Sequence, residues 1–271
     1  MSEVLDDFST SSLAAAIEAN LFAYPRYLSS SPSVEVYDSR ELTYFISGVP
    51  HPGMNGIVHT QLRPENADDA IDETLGHFKS RQVPFAWWVD SATQPPDLPR
   101  RLEAHGLAYH EDLPGMAIDL LALKEDSTPP AGLTIQTVGD EDALAQWVSA
   151  VVIGFGMPAS GEDTCFDLFA SVGFDLPLRN YLGLLGRKPV AASQLFLATG
   201  VAGIYFVATV PEARRQGIGA AMTLAPLREA LAMGYRIGTL QSSEVGLGVY
   251  RRLGFEEYCR FSCGVWMGEA R

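Results

Sequence analysis

The stretch Thr209-Val-Pro-Glu-Ala-Arg-Arg-Gln-Gly-Ile-Gly-Ala-Ala221 constrains this chain more than any other, because it reads as a strand end that turns through two glycines into a helix. The run before it, Ala202-Gly-Ile-Tyr-Phe-Val-Ala-Thr-Val210, is rich in β-branched and aromatic residues and is closed by Pro211, which cannot continue a central strand. The run after it, Ala220 to Met233, carries Leu224, Leu227 and Leu231 among alanines at helical spacing and is stopped by Gly234. Gly217 and Gly219 remove the β-carbons that would keep an anion away from the helix start. Arg214 and Arg215 add full charges at the same place. Two glycines at such a junction are also what a plain tight turn uses.

Counting excludes two nucleotide motifs. A dinucleotide fingerprint wants Gly or Ala three residues after Gly219, where Met222 stands, and a P-loop wants Gly-Lys-Ser/Thr, whereas this segment has no lysine.

The order Arg214-Arg-Gln-Gly-Ile-Gly219 instead resembles the acetyl-CoA pyrophosphate loop of the GNAT superfamily of N-acyltransferases, Gln/Arg-x-x-Gly-x-Gly/Ala. A second family motif follows: Thr239 to Glu244 reads as a strand, and Leu247-Gly-Val-Tyr-Arg-Arg-Leu-Gly-Phe255 is similar to the Leu-Tyr-x-x-x-Gly-Phe helix and turn, with Val249 in place of the usual leucine. The resemblance covers roughly Leu133 to the C-terminus.

The rest of that half fits. Leu133 to Val138 alternates as a strand, and Asp140 is placed to cap a helix carrying Leu144, Trp147, Val148, Val151 and Val152. Residues 181–185 and 190–197 read as a hairpin across a polar turn, and a third strand leads into the glycine loop. The segment 154–178 mixes phenylalanines with acidic residues and reads as an amphipathic cover; in the family this segment lies over the acceptor site.

Residues 1 to about 125 hold a second set of elements, with a helix from Ser9 or Thr10, strands near 42–46, 56–60, 84–89 and 115–120, and helices at 66–79 and 97–104. No Arg-x-x-Gly-x-Gly equivalent occurs there. Its segment Leu98 to Gly106, followed by strands, nevertheless resembles the second-motif end of that fold, so the resemblance implies an α/β (α+β) chain with a mixed central sheet flanked by helices, an acyl-CoA N-acyltransferase-like fold in two tandem copies. Residues 1–125 form a degenerate copy or cap, 126–132 a linker by its Ser-Thr-Pro-Pro composition, and 133–271 the catalytic domain.

Charge and cysteines bound the function class. Of the net charge of −14, residues 1–130 carry 20 acidic and 8 basic side chains and residues 131–271 carry 13 and 11. An acidic surface argues against nucleic acid and anionic membranes, and the balanced second half suits a polyanionic ligand. No apolar run approaches a membrane span, and the start Met1-Ser-Glu-Val-Leu-Asp-Asp7 is acidic where a signal peptide is basic, so a cytoplasmic protein is expected. Cys259 and Cys263 lack the companion pair of a zinc site, and Cys165 stands alone, so no metal is expected.

The resemblance implies acetyl transfer from acetyl-CoA, as cosubstrate, to the amine of a small-molecule or amino-acid-like acceptor by direct attack. Val207, Ala208, Thr209 and Val210 would bond the pantetheine arm, and Arg214, Arg215, Gln216, Gly217, Ile218, Gly219 and Ala220 would take the pyrophosphate. Tyr250 stands at the family's general-acid position, and Ser243, where the family commonly has Asn, would hydrogen-bond the cofactor or a structural water. The general base is not legible, because His51, His59, His77, His105 and His110 all lie in the first half. Glu244 is the nearest acidic candidate, and an ordered-water route or a base from the first half stays equally open. A non-catalytic CoA-binding or ligand-sensing module is the competing reading, and a homodimer stays open.

Overall fold

A computed structural model describes residues 4–123 and 129–268, without the side chains of residues 110–112. Residues 126–128 of the expected linker, and the side chain of His110, lie outside the described residues.

The chain packs as two compact units: Met1–Tyr24 with Pro114–Tyr258, and Pro25–Leu113 with Cys259–Arg271. These units cut across the expected division at 126–132. The reason is an exchange of strands between two similar halves. The first half runs α1 (Thr10–Leu28), β1 (Glu35–Asp38), β2 (Leu42–Ile46), β3 (Asn55–Thr60), α2 (Ala67–Arg81), β4 (Phe85–Val89), α3 (Leu98–Ala104) and β5 (Ala108–Asp119). The second runs β6 (Leu133–Thr137), α4 (Glu141–Phe155), α5 (Glu162–Val172), β7 (Leu178–Leu185), β8 (Lys188–Ala198), β9 (Val201–Thr209), α6 (Ile218–Ala232), β10 (Ile237–Gln241), α7 (Glu244–Leu253) and β11 (Glu256–Trp266).

The order β1-β2-β3-α2-β4-α3-β5 thus repeats as β7-β8-β9-α6-β10-α7-β11. In both, three antiparallel strands are followed by a parallel pair, β3 with β4 and β9 with β10. The last strand of each half serves the other: residues 115–119 of β5 pair antiparallel with β10, and residues 262–266 of β11 with β4.

In the unit built on residues 114–258, the sheet β6-β7-β8-β9-β10 is mixed, and β8 is buried continuously from Val190 to Leu197, as the centre of a sheet covered on both faces should be. Helix α4 starts where Asp140 accepts from the Ala143 N–H at 2.8 Å, with Glu141 and Asp142 favourable in its first turn. Its Trp147 is fully buried and donates its indole N–H to the Ser193 carbonyl at 3.0 Å. Helix α6 buries Met222, Leu224 and Leu227 against Leu195, Ile204 and Leu240, each worth about 1.5–3 kcal/mol when fully buried. The first fifteen residues of α1 belong to this unit, where Leu13, Ile17 and Leu21 are buried.

In the other unit, Ile71, Leu75 and Phe78 of α2 and Leu98 and Leu102 of α3 bury against Ile57, Phe85 and Trp87.

Candidate functional site

Strands β9 and β10 are paired at Gly238 with Ala202 and at Thr239 with Gly203, and part beyond that point. Across its other edge β9 carries a bulge: Gln194 faces Tyr205 and Ala192 faces Ala208, so that Phe206 and Val207 together oppose Ser193. Phe206 takes φ 50°, the left-handed region a bulky side chain rarely adopts. A bulge leaves backbone groups outside the ladder and re-aims the strand, so Val207 stands at the parted edge with unladdered amides. Beyond it the ladder resumes, with the Val210 N–H donating to the Val190 carbonyl at 2.9 Å. Alternation along the strand turns the Thr209 N–H to the opposite, open edge.

The chain then enters the glycine loop. Arg215 has φ 62° and Gly217 φ 81°, ψ 0°. Gly217 is the cap residue of α6, no side chain caps that helix, and no acidic residue sits in its first turn. The N–H groups of a helix start with no side-chain cap, fifteen residues of aligned dipole behind them, form an anion site by construction. The space above the loop matches. A β-carbon on Gly219 would meet nothing within 4 Å, and one on Gly217 only Pro130 Cγ at 3.9 Å. Gly219 has neither a positive φ nor a crowding neighbour, so the fold itself makes no demand for glycine there. A glycine there leaves the space over the helix start open to an anion, and the donor set fits the phosphates of a cofactor such as acetyl-CoA.

The two arginines do different things. Arg214 donates from Nε to the Thr209 carbonyl at 3.1 Å and from Nη2 to the Gly154 carbonyl at 2.8 Å. It therefore braces the strand end and the end of α4 rather than presenting its charge to the loop. Arg215 is exposed and makes no ion pair among the described residues. Gln216 is exposed, Ile218 buried and Ala220 half-buried.

The strand expected over 239–244 ends at Gln241. Ser243 is the N-cap of α7, accepting from the Gly246 N–H at 3.3 Å, so its hydroxyl is already committed to the helix start. Glu244 is exposed in the first helical turn, not at a strand end. Tyr250 is buried near the other end of α7, its ring 5.9 Å from that of Phe255, and burial pushes its phenol up to about 12. A desolvated phenol keeps its proton at neutral pH.

Sequence reasoning missed Phe206, because Tyr205-Phe-Val207 reads as uninterrupted strand. It also missed the aromatic group around it: Phe206 lies 5.6 Å from Trp147, 5.5 Å from Phe169 and 6.2 Å from Phe155.

The corresponding place in the first half is closed. Beyond Gly56–Ala86 and Ile57–Trp87, β3 and the chain after β4 stay stitched by Gln94 N–H to the Thr60 carbonyl and Leu62 N–H to the Gln94 carbonyl, both 3.0 Å. The Trp87 indole donates to Thr60 Oγ1 at 2.9 Å. Helix α2 starts with Asp68 and Asp69, which disfavour a phosphate at that end.

A family model for the acetyltransferase (GNAT) domain matches residues 198–258, the span from the end of β8 into β11 that contains the bulge, the loop and Tyr250. This segment belongs to the GNAT acetyltransferase family. Among solved structures, the chain shares its fold with a GCN5-related N-acetyltransferase from Kribbella flavida (19% identity, 93% of this chain and 96% of that one, TM-score 0.67). It also resembles one from Sphaerobacter thermophilus (19%, 88% and 77%, 0.59). A tandem GNAT protein from the clavulanic acid biosynthesis pathway shares the fold as well (16%, 89% and 86%, 0.55). A search of curated proteins finds no match. The GNAT fold in tandem, with a mixed sheet between helices, is the architecture of this chain. Among the described residues no helix is long and apolar enough to cross a membrane.

Proposed function

We propose that the chain is an acetyl-CoA-dependent N-acetyltransferase acting on the amine of a small molecule. The carrying observation is the open space over Gly219 at a helix start without a side-chain cap, placed at the end of a strand that has parted from its neighbour. When bound, acetyl-CoA supplies an activated acyl group on a thiol. The amides from Gly217 to Ala220 hold its phosphates, Arg215 adds charge from the exposed side of the loop, and the freed edge from Val207 to Val210 holds the extended arm. Tyr250 keeps a proton at its hydroxyl for the departing sulfur. An unperturbed thiol lies near ~8.5, so a phenol raised by burial is a weak acid toward it and acts mainly by hydrogen bonding. This reading is supported by the match over 198–258 and by the chemistry of the loop.

The test is calorimetric binding of acetyl-CoA, followed by an amine panel with detection of released thiol. Binding with thiol release on one class of amine is the expected result. A folded protein that shows no binding at millimolar acetyl-CoA overturns the reading.

A further inference from the structure

At the point where β9 leaves β10, the unit that contains the glycine loop is completed by a residue from the first helix of the chain. Asn20 is fully buried. Its Nδ2 donates to the Ala198 carbonyl at 3.1 Å and reaches the Phe196 carbonyl at 3.5 Å, both on β8. Its Oδ1 accepts from the Tyr205 hydroxyl at 2.8 Å, on β9. The carboxamide fills the volume over Gly203: a β-carbon there would stand 2.0 Å from Asn20 Oδ1. Gly203 is the last β9 residue paired with β10, and Tyr205 is the last before the left-handed Phe206. Tyr24, one turn further along α1, packs its ring 4.8 Å from that of Tyr205 and donates its hydroxyl to Gln194, the β8 residue facing Tyr205.

We propose that Asn20 is a positioning residue for the cofactor edge: it locks residues 203–205 of β9 to β8, so that the extra residue of the bulge falls at Phe206 and at no neighbouring position. The physical need is clear. A strand slipped by one residue presents the opposite set of amides and side chains to each edge, so an unpinned bulge would offer Val207–Val210 in two registers. Bonds that span both strands of the pair fix one of them. Burial makes the lock costly to break, because a buried carboxamide deprived of partners loses the full value of its hydrogen bonds. Helix α1 thereby supports the cofactor edge from behind although it precedes the first copy of the repeat.

The inference rests on the acetyltransferase reading and is separable from it by using two ligands. 3′-Phospho-ADP carries the phosphate end of the cofactor without its pantetheine arm and tests the loop alone; acetyl-CoA turnover with an active amine tests loop and edge together. Tyr205→Phe removes one hydroxyl and keeps the ring, and Asn20→Asp keeps the acceptor for Tyr205 but loses the donor to β8. The expected result is unchanged affinity for 3′-phospho-ADP, with kcat/KM for acetyl-CoA lowered by about 10-fold or more in Tyr205→Phe, and faster amide exchange at residues 205–209. Asn20→Asp, if it folds, should behave alike; if it does not fold, Tyr205→Phe decides. Wild-type turnover with wild-type exchange in Tyr205→Phe overturns the proposal. So does an equal loss of both ligands, which marks a purely structural residue. Failure of the wild-type protein to bind either ligand removes the acetyltransferase reading instead.

Discussion

Gly217 and Gly219 look alike in sequence and differ in what holds them. Gly217 sits at φ 81°, where any side chain is strained, whereas Gly219 has no such requirement and open space above it. Gly217→Val should therefore cost both stability, by about 1 kcal/mol or more, and affinity. Gly219→Val should leave the melting temperature within about 2 °C and raise the Kd for acetyl-CoA by about 100-fold, because its side chain occupies only the ligand's volume. Calorimetry on both variants checks this; equal losses of stability and affinity at Gly219 would return the loop to a plain turn. Tyr250→Phe isolates the hydroxyl. Turnover should fall by about 10-fold to 100-fold with affinity for acetyl-CoA unchanged, and wild-type turnover between pH 6 and 9 would make Tyr250 a packing residue. The pH sign follows from burial. A phenol raised from 10.0 to about 12 in the folded state contributes stability that is present below pH 10 and lost as pH rises toward 12. Tyr250 therefore stays protonated across pH 6 to 9, and any alkaline fall of activity in that range belongs to another group. At this scale the loop and Tyr250 are legible in the sequence because both are local motifs, and the structure puts the loop at a helix start and Tyr250 on the buried side of α7. What the sequence did not show is that α7 starts at Ser243, whose hydroxyl caps it, so that Glu244 stands exposed not at a strand end but in the first helical turn, where a carboxylate stabilises the helix whatever else it does.

Among elements, helices and strands were legible wherever hydrophobic period and caps agreed, as for α4 behind Asp140 and α6 before Gly234. The bulge in β9 was not. Phe206 is a β-former in a β-forming run, and only the pairing of Ser193 against two residues reveals the extra one. Nor does a pair of arginines announce that one of them is a brace. Arg214 spans two carbonyls, on β9 and at the end of α4, with two different nitrogens. Arg214→Ala should cost about 1 kcal/mol and weaken acetyl-CoA binding by loosening the loop, and Arg214→Lys should fail to restore it, because one ammonium cannot reproduce the planar fork. Titration calorimetry at two salt concentrations separates the roles. If lysine restores affinity and the salt dependence is kept, Arg214 acts as a charge on the phosphates and not as a brace.

At the level of the whole molecule, composition and a Pro-rich stretch pointed to a break near 126–132, but the compact units are interleaved because β5 and β11 trade partners. No sequence pattern marks this. A strand's alternation says which face is buried and not which neighbour it pairs with, and two copies of one fold offer each final strand an equivalent edge. The exchange leaves two places where a parallel pair precedes a helix, and they differ in every property that binding needs. In one, β9 and β10 part after Gly203 and Thr239, and α6 begins uncapped with no acid in its first turn. In the other, bonds from Gln94 and Leu62 keep the strands together, Trp87 fills the gap against Thr60, and Asp68 and Asp69 stand at the helix start. Opening the second place would break two backbone bonds and a buried indole bond, at about 1 kcal/mol each, and set a polyanion against two carboxylates. One acetyl-CoA per chain is the expected stoichiometry in calorimetry. Gly219→Val should weaken that single binding event by the same factor of about 100 and uncover no second one, and a second equivalent bound by the intact chain, keeping its full affinity in the variant, would show that the first half also holds cofactor.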